Sequence, residues 1–79
     1  MDITIRGRNY TLTEKDRILD NGRVYILVTQ KTSPGYEGYS PNVPKKLFKN
    51  LLTEGKIRLS ADKYRGAFGG VYDLYELSV

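Results

Sequence analysis

Short runs of alternating polar and apolar residues open the chain. In DITIR, residues 2–6, Ile3 and Ile5 share one side of the backbone, as they would in a half-buried strand. The turn-forming GRN follows, and YTLT, Tyr10–Thr13, predicts a second short strand that returns from it. The pattern therefore predicts an antiparallel pair of strands at the N-terminus.

Two local signals come next, one for a helical turn and one for a hairpin. Thr13 and Asp16 have the spacing of a capping box, so a single helical turn is predicted over Glu14–Ile18. The DNG at Asp20–Gly22 must end it, and Asn-Gly favours a type I′ turn because both central residues of that turn need a positive φ. RVYILVTQ, residues 23–30, is then predicted to be a central, covered strand, since it is apolar on both faces.

A helical period begins near residue 43. In VPKKLFKNLLTEGK, four apolar side chains fall within an arc of about 140° at 100° per residue. They are Leu47, Phe48, Leu51 and Leu52. The opposite side is polar and carries Lys45, Lys46 and Lys49. This amphipathic pattern predicts a helix over roughly residues 43–54.

The ends and packing partners of this helix are also predicted. Asn42 suits the N-cap, Pro44 suits the first turn, and Gly55 suits the C′ position after the last turn. We expect the apolar side to pack on Ile26 and Val28 of the long strand, and on the C-terminal strand.

Two further strands and a glycine-rich turn complete the chain. KIRLS, residues 56–60, predicts one strand, and VYDLYELSV, residues 71–79, predicts the closing one. The intervening ADKYRGAFGG is predicted to be a loop or hairpin turn. One helix packed on an antiparallel sheet of about five short strands makes a two-layer α+β fold, in the order ββ-β-α-ββ. A chain of 79 residues forms one such domain, over residues 1–79.

The residue types that are missing from the chain limit its chemistry. Neither cysteine nor histidine occurs, which excludes a thiol nucleophile, a thiolate metal site and a histidine general base or ligand. The serines lack a G-x-S-x-G elbow, and no phosphate-binding glycine loop precedes the Lys45-Lys46 pair. We therefore expect a protein that is not an enzyme and that uses no cofactor or metal. A small carboxylate-dependent hydrolase is the remaining enzyme class.

Charge and hydropathy indicate the compartment and the kind of partner. The chain has no apolar run long enough to cross a membrane, and MDITIRGRNY lacks a signal-peptide pattern, so a cytoplasmic protein is expected. The 13 Lys and Arg residues exceed the 9 Asp and Glu residues, for a net charge of +4. That excess either serves solubility alone or favours an anionic partner, such as nucleic acid or a protein that carries it.

An unusual segment stands in the middle of the chain. KTSPGYEGYSPNVPKK, residues 31–46, contains all three prolines and two tyrosines but no apolar run. Loops longer than about 12 residues without structure of their own are usually functional or disordered. Tyr36 and Tyr39 are therefore either the anchors of a recognition loop over residues 31–43 or a lid folded over the core.

A second candidate surface is the predicted hairpin tip, DKYRGAFGG. Basic and aromatic side chains alternate there with small residues, namely Lys63, Tyr64, Arg65 and Phe68. On a β-ribbon such side chains bind a partner or stack on bases; alternatively, the two aromatic rings anchor the turn against the core. Lys45, Lys46 and Lys49, together with Lys63 and Arg65, are candidates for phosphate contacts, although a lysine stripe is also typical of the solvated face of a helix.

Three segments that span most of the chain carry a resemblance. They are DRILDNGRVYILVTQK, KKLFKNLL followed by EGKI, and YRGAFGGVYDLYEL. In overall style they resemble the small accessory proteins encoded in the early regions of phages and prophages of Gram-positive bacteria. The resemblance implies a non-enzymatic protein that binds host or phage nucleic-acid machinery, as inhibitors of CRISPR effectors do. Many of those inhibitors are acidic mimics of nucleic acid, whereas this chain is basic.

Two functional hypotheses follow from these features. The first is a phage-type inhibitor or adaptor in the cytoplasm of the bacterial host, a monomer or weak homodimer, that binds a nucleoprotein such as a CRISPR effector. Its contacts would be Tyr36, Tyr39, Lys63, Tyr64, Arg65 and Phe68. The alternative is a small basic module that binds DNA or RNA directly, with Lys45, Lys46, Lys49, Lys63 and Arg65 on phosphates and Tyr64 or Phe68 stacked on bases.

Overall fold

The computed structural model describes residues 1–28, 41–66 and 68–78, and these residues form an α+β fold, as predicted. Within these ranges the chain contains seven strands and one helix, where about five strands were predicted. In chain order they are β1 Asp2–Ile5, β2 Arg8–Thr11, β3 Arg17–Asp20, β4 Tyr25–Val28, β5 Asn42–Val43, α1 Lys45–Thr53, β6 Ile57–Arg65 and β7 Val71–Leu77.

The described strands form two antiparallel sheets. β1 pairs with β2 in a two-stranded sheet, and the other strands form a five-stranded sheet in the order β5-β4-β3-β7-β6. The central strand β3 replaces the helical turn predicted over Glu14–Ile18. The Asp16 carboxylate does accept hydrogen bonds from the N–H and the hydroxyl of Thr13, at 2.8 and 3.3 Å. Those bonds stabilise a turn, after which pairing with β4 and β7 outweighs the local helical signal.

The type I′ turn lies in the first hairpin and not at Asn21-Gly22, where the sequence predicts it. Arg6 and Gly7 have φ values of 51° and 80°, so both central residues of the β1–β2 turn are in the left-handed region. Because this turn occupies residues 6 and 7, β2 begins at Arg8 and not at Tyr10.

The β3–β4 turn is a longer one that is held by a side chain. Gly22 has a φ of 88°, but Asn21 does not have a positive φ. The Asn21 side-chain carbonyl instead accepts hydrogen bonds from the N–H groups of Arg23 and Val24, at 2.9 and 2.8 Å. The turn therefore extends through Val24, and β4 starts at Tyr25, two residues after its predicted start.

The core lies between α1, the β1–β2 sheet and one face of the five-stranded sheet. Its buried residues are Ile3, Ile5, Leu12, Ile18, Leu27, Val43, Phe48, Leu51 and Ile57. The Phe48 ring stacks on Tyr25 at a centroid distance of 3.8 Å and meets Tyr75 edge-on at 4.8 Å. The helix thus packs on β4 and β7, as predicted. On β4 it meets the face of Tyr25 and not the face of Ile26 and Val28, because strand side chains alternate.

The helix α1 is shorter than predicted, and its two ends differ. Pro44 is the N-cap residue, with no side-chain hydrogen bond to the first turn among the described residues, since Asn42 belongs to β5. At the other end, Gly55 occupies the predicted C′ position with a φ of 72°. The N–H groups of Gly55 and Lys56 donate to carbonyls of the last turn at 3.1 and 2.9 Å, which is a Schellman motif.

The apolar side of α1 is narrower than predicted. Phe48 and Leu51, in the middle of the apolar arc, are buried, and Leu47 is partly buried. Leu52 is 41% exposed, so the prediction that it packs in the core is wrong. It lies at the margin of the arc, where a helix resting on a flat sheet turns towards solvent.

β6 forms one edge of the five-stranded sheet and extends further than predicted. It continues through Ala61–Arg65, which the sequence places in a loop. The pairing of β6 with β7 shifts in register between Leu59 and Lys63, and within this bulge the Ser60 hydroxyl accepts a hydrogen bond from the Asp62 N–H at 3.0 Å. The bulge accommodates Ala and Asp, which are poor strand formers, without ending the strand.

Candidate partner-binding site

The end of the β6–β7 hairpin carries the residues that the sequence singles out as a candidate tip. The last strand pair is Arg65 with Val71. Beyond it, the Gly66 N–H donates to the Gly70 carbonyl at 2.8 Å, and the Gly69 N–H donates to the Gly66 carbonyl at 3.1 Å. Gly69 has a φ of 85°. The glycines therefore close a tight turn, which presents Phe68 at its end.

The apolar side chains of this end are unusually exposed. Phe68 is fully exposed, at 103% of its reference area, and Val71 and Tyr64 are 60% and 45% exposed. Phe68 therefore does not anchor the turn against the core, which was one of the two interpretations of its position. A single exposed apolar side chain is common on protein surfaces, but several at one end of a hairpin, as here, are typical of interaction sites.

Tyr72, which the sequence analysis does not single out, holds the turn in shape. Its ring lies across the turn glycines: a Cβ atom on Gly70 would come within 2.9 Å of the Tyr72 hydroxyl oxygen, and one on Gly66 within 3.2 Å of the ring. The Tyr64 and Tyr72 rings are 6.5 Å apart between centroids and inclined by 33°. In the sequence, two tyrosines on either side of a glycine-rich hairpin turn are the pattern from which a packed aromatic pair can be predicted. Tyr64 and Tyr72 are such a pair, and they lie directly opposite each other in the structure.

The aromatic pair and the helix lie on opposite faces of the sheet. Tyr75 contacts Phe48 of α1, and since side chains alternate along β7, Tyr72 points to the other face together with Leu74. Tyr64 pairs directly with Tyr72 and shares its face. The exposed lysines of α1 are therefore not on the same face as the Tyr64–Tyr72 pair.

Ion pairing separates the candidate cations into two groups. The Lys63 ammonium binds the Asp73 carboxylate at 2.6 Å. None of the ion pairs between described residues involves Arg65 or the three α1 lysines Lys45, Lys46 and Lys49, all of which are exposed. Lys63 is thus partly neutralised within the hairpin, whereas no carboxylate of the described residues neutralises Arg65 or the three lysines.

Two ionisable side chains of β7 have shifted pKa values. Hydrogen bonds from Arg58 and Ser60 lower the pKa of the Glu76 carboxyl. Burial raises the pKa of the Tyr75 hydroxyl, and the carboxylates of Asp20 and Asp73 raise it further. Tyr75 therefore stays neutral at physiological pH, and its role is to pack against Phe48.

The other candidate site is Tyr36 and Tyr39 in the predicted loop over residues 31–43, and the end of that predicted loop is wrong because Asn42–Val43 is strand β5, paired with β4. Both tyrosines lie outside the described residues, and their role as anchors stays a prediction. Among the residues that the structure does describe, no group of three or more His, Cys, Asp and Glu side chains could hold a metal ion.

No helix in the described ranges is long and apolar enough to span a membrane. No protein-family model, curated protein or solved structure matches the chain.

Proposed function

We propose that this chain is a non-enzymatic binding protein of the phage accessory type, which docks the end of its β6–β7 hairpin on the protein part of a nucleoprotein. A CRISPR effector is such a nucleoprotein, and occupation of its surface would inhibit it. The observation that supports the proposal is Phe68, whose ring is fully exposed at the end of an ordered turn and close along the chain to the exposed Tyr64.

The composition of the hairpin end suits a protein surface. Burying a phenylalanine side chain that is otherwise exposed contributes about 1.5–3 kcal/mol. Aromatic residues are also among the most frequent energetic anchors of interfaces, and Phe68 and Tyr64 supply two of them. An interface built around Phe68 and Tyr64 therefore has residue types that usually carry affinity, whereas Arg65, which pairs with Val71, points to the opposite face of the hairpin from Tyr64.

The turn is also organised before any partner binds. The Tyr72 ring packs across Gly66 and Gly70, and the turn glycines are hydrogen bonded to one another. These contacts limit the backbone freedom of Gly66 and Gly70, so less backbone entropy is lost on binding, and the main entropy cost is the rotamer freedom of the Phe68 side chain. This favours binding by a preformed hairpin.

The test is capture of a partner by the wild-type chain and by the double variant Tyr64→Ala/Phe68→Ala. A nuclease-treated lysate of a Gram-positive host supplies the partner, and a titration with the purified partner follows. We expect at least tenfold weaker binding by the double variant, or about 1.4 kcal/mol, while the melting temperature falls by no more than a few degrees because Tyr64 also packs on Tyr72. Leu59→Ala is the matched control, since Leu59 is 53% exposed on the same strand but away from the turn. Equal binding by the double variant and the control would contradict the proposal.

The second candidate function is direct nucleic-acid binding, and the α1 lysines favour it. Lys45, Lys46 and Lys49 are exposed without an ion-pair partner among the described residues, and the first turn of α1 contains no acidic residue. With Arg65 they make four available cations, since Lys63 is bound to Asp73. Four phosphate contacts give a slope of about −3.6 for log affinity against log salt.

The triple variant Lys45→Gln/Lys46→Gln/Lys49→Gln tests this alternative. If the lysines bind phosphates, the slope for a labelled oligonucleotide should fall in magnitude by about 2.7. If oligonucleotide binding is the same in the triple variant and in the wild type, the lysines are the solvated face of α1 and nothing more.

A further inference from the structure

We propose that the β1–β2 turn is a separate nucleic-acid contact, in which Arg6 and Arg8 bind phosphate groups of the backbone. This inference goes beyond the proposed docking of the β6–β7 hairpin, because it concerns another turn and another class of ligand. It requires no protein partner and can be tested with an oligonucleotide alone.

The first observation is the backbone conformation of Arg6. Its φ of 51° is the one positive value among the described residues other than glycine. The first central position of a type I′ turn strongly favours Asn, Asp or Gly, because a Cβ atom crowds the backbone there. An arginine at this position makes the fold less stable than an asparagine would, and strained residues of this kind cluster at functional sites.

The second observation is the exposure and charge of the turn. Residues 6–9 are all exposed, and between described residues no ion pair or side-chain hydrogen bond involves Arg6 or Arg8. Two guanidinium groups thus flank Gly7 in solvent. Arginine is the side chain best suited to phosphate, because its planar donors match two phosphate oxygens at once.

The third observation is the fixed position of the ribbon that carries these arginines. On one face Ile3 and Ile5 are buried in the core. On the other, the Thr4 hydroxyl donates to the Asn9 side chain at 2.8 Å, and the Thr11 hydroxyl donates to the Asp2 carboxylate at 2.9 Å. The arginines therefore extend from a rigid two-stranded ribbon.

The shape of the turn identifies the class of anion. An exposed turn cannot enclose a single free phosphate, which would need a concave site with several converging donors. A linear polyanion presents repeated phosphates to an exposed tip, and a two-stranded ribbon fits a nucleic-acid groove. The net charge of +4 adds a long-range attraction for the same class of ligand.

The experiment uses Arg6→Asn and the matched control Arg23→Asn. Arg23 is an exposed arginine in the other hairpin turn, between β3 and β4, so both variants lose one positive charge from a turn. The probe is a fluorescently labelled duplex oligonucleotide, titrated with each protein over a range of salt concentrations. Melting temperatures are measured in parallel.

We expect Arg6→Asn to raise the melting temperature by a few degrees, because asparagine tolerates a positive φ. The same variant should bind the duplex more weakly and lose about 0.9 from the salt slope, which corresponds to one phosphate contact. The double variant Arg6→Asn/Arg8→Gln should lose about 1.8. Arg23→Asn should leave the slope unchanged.

Three outcomes would overturn the inference. They are the absence of wild-type binding at low salt, an unchanged slope in Arg6→Asn, and an equal loss of slope in Arg23→Asn, which would show an effect of net charge alone. The Tyr64→Ala/Phe68→Ala variant should bind the duplex as the wild type does. Failure of the hairpin proposal therefore leaves this inference intact, and failure of this inference leaves the hairpin proposal intact.

Discussion

The two phenylalanines of the chain occupy opposite environments. Phe48 is 3% exposed and lies between Tyr25 and Tyr75, whereas Phe68 is fully exposed at the end of a glycine turn. Both are apolar rings of the same size, so the hydrophobic effect favours burial of both equally. The comparison teaches that position in the fold, and not residue type, decides exposure: one ring is packed between two tyrosines and the other lies in solvent.

The largest effect expected in this comparison is loss of the buried ring. Phe48→Ala removes the ring that joins α1 to β4 and β7 and should lower the free energy of unfolding by about 3–5 kcal/mol. Chemical denaturation measures it. Phe48→Leu retains part of the volume and should lose less. A loss below about 1 kcal/mol for Phe48→Ala would mean that the core does not depend on this ring.

Gly22 is exposed like Phe68, but we expect the stability of the fold to depend on it, as it does on the buried Phe48. Its φ is 88°, and a Cβ atom there would meet nothing within 4 Å, so a substitution is penalised by the backbone and not by crowding. Gly22→Val should lower the free energy of unfolding by about 1–3 kcal/mol. Gly22→Asn is the control and should lose less. Partner binding should fall only in step with the folded fraction; a selective loss of binding would place this turn in the site.

Glu76 lies at the end of β7 that is far from Phe68. Ionisation of its carboxyl group makes part of the stability of the fold depend on pH. Because hydrogen bonds from Arg58 and Ser60 lower its pKa in the folded state, ionised Glu76 stabilises the fold above its ordinary pKa of 4.5. That contribution is lost as the pH falls through the lowered pKa. The difference in the free energy of unfolding between the wild type and Glu76→Gln should therefore be constant near neutral pH and decrease towards zero in acid. A difference that does not shrink at all as the pH falls below 4.5 would contradict this expectation.

The smallest expected effect is on the exposed ring. Phe68→Ala should change the free energy of unfolding by no more than about 0.5 kcal/mol, because the ring is fully exposed in the folded protein. Thermal and chemical denaturation measure it, with Phe48→Ala as the contrasting variant. A loss of more than about 1 kcal/mol would show that Phe68 supports the fold and would remove the contrast between the two rings.

The helix could be predicted from sequence because its signals are local. The apolar period that centres on Phe48 and Leu51 gives its buried side, and Gly55 marks its end through a positive φ that glycine adopts readily. The α+β class follows from one such helix among strand patterns. The pattern wrongly predicts that Leu52 is buried, because it does not give the width of the surface on which the helix packs.

The errors arose where local signals compete with pairing between strands. Thr13 and Asp16 form the hydrogen bonds of their pattern, but the residues after them join the centre of the sheet. Arginine is not a residue type that favours a positive φ, so the sequence does not predict the conformation of Arg6. The sequence favours Asn21-Gly22 for the type I′ turn instead. Such outcomes depend on partners that are distant in sequence.

Dependence on residues that are distant in sequence also limits what can be predicted about the candidate site. The residue types at Tyr64, Arg65 and Phe68 indicate a surface, and the pattern places them at a hairpin end. Whether the rings face solvent or the core depends on how β6 pairs with β7, and the ion pair that occupies Lys63 depends on that register as well. Sequence reasoning therefore leaves both interpretations of the tip open.

The bulge in β6 has a consequence for how copies of this chain behave at high concentration. A straight, uninterrupted edge strand is a template on which other chains polymerise into fibres. In β6 the Asp62 N–H is already bound to the Ser60 hydroxyl, and Arg58 and Lys63 add charges on either side of the bulge. A second copy arriving at this edge would meet a break in the row of hydrogen-bonding groups and charged side chains that it would have to desolvate. The bulge thus lets the chain expose a bare aromatic ring at one end of a sheet while its long edge resists aggregation.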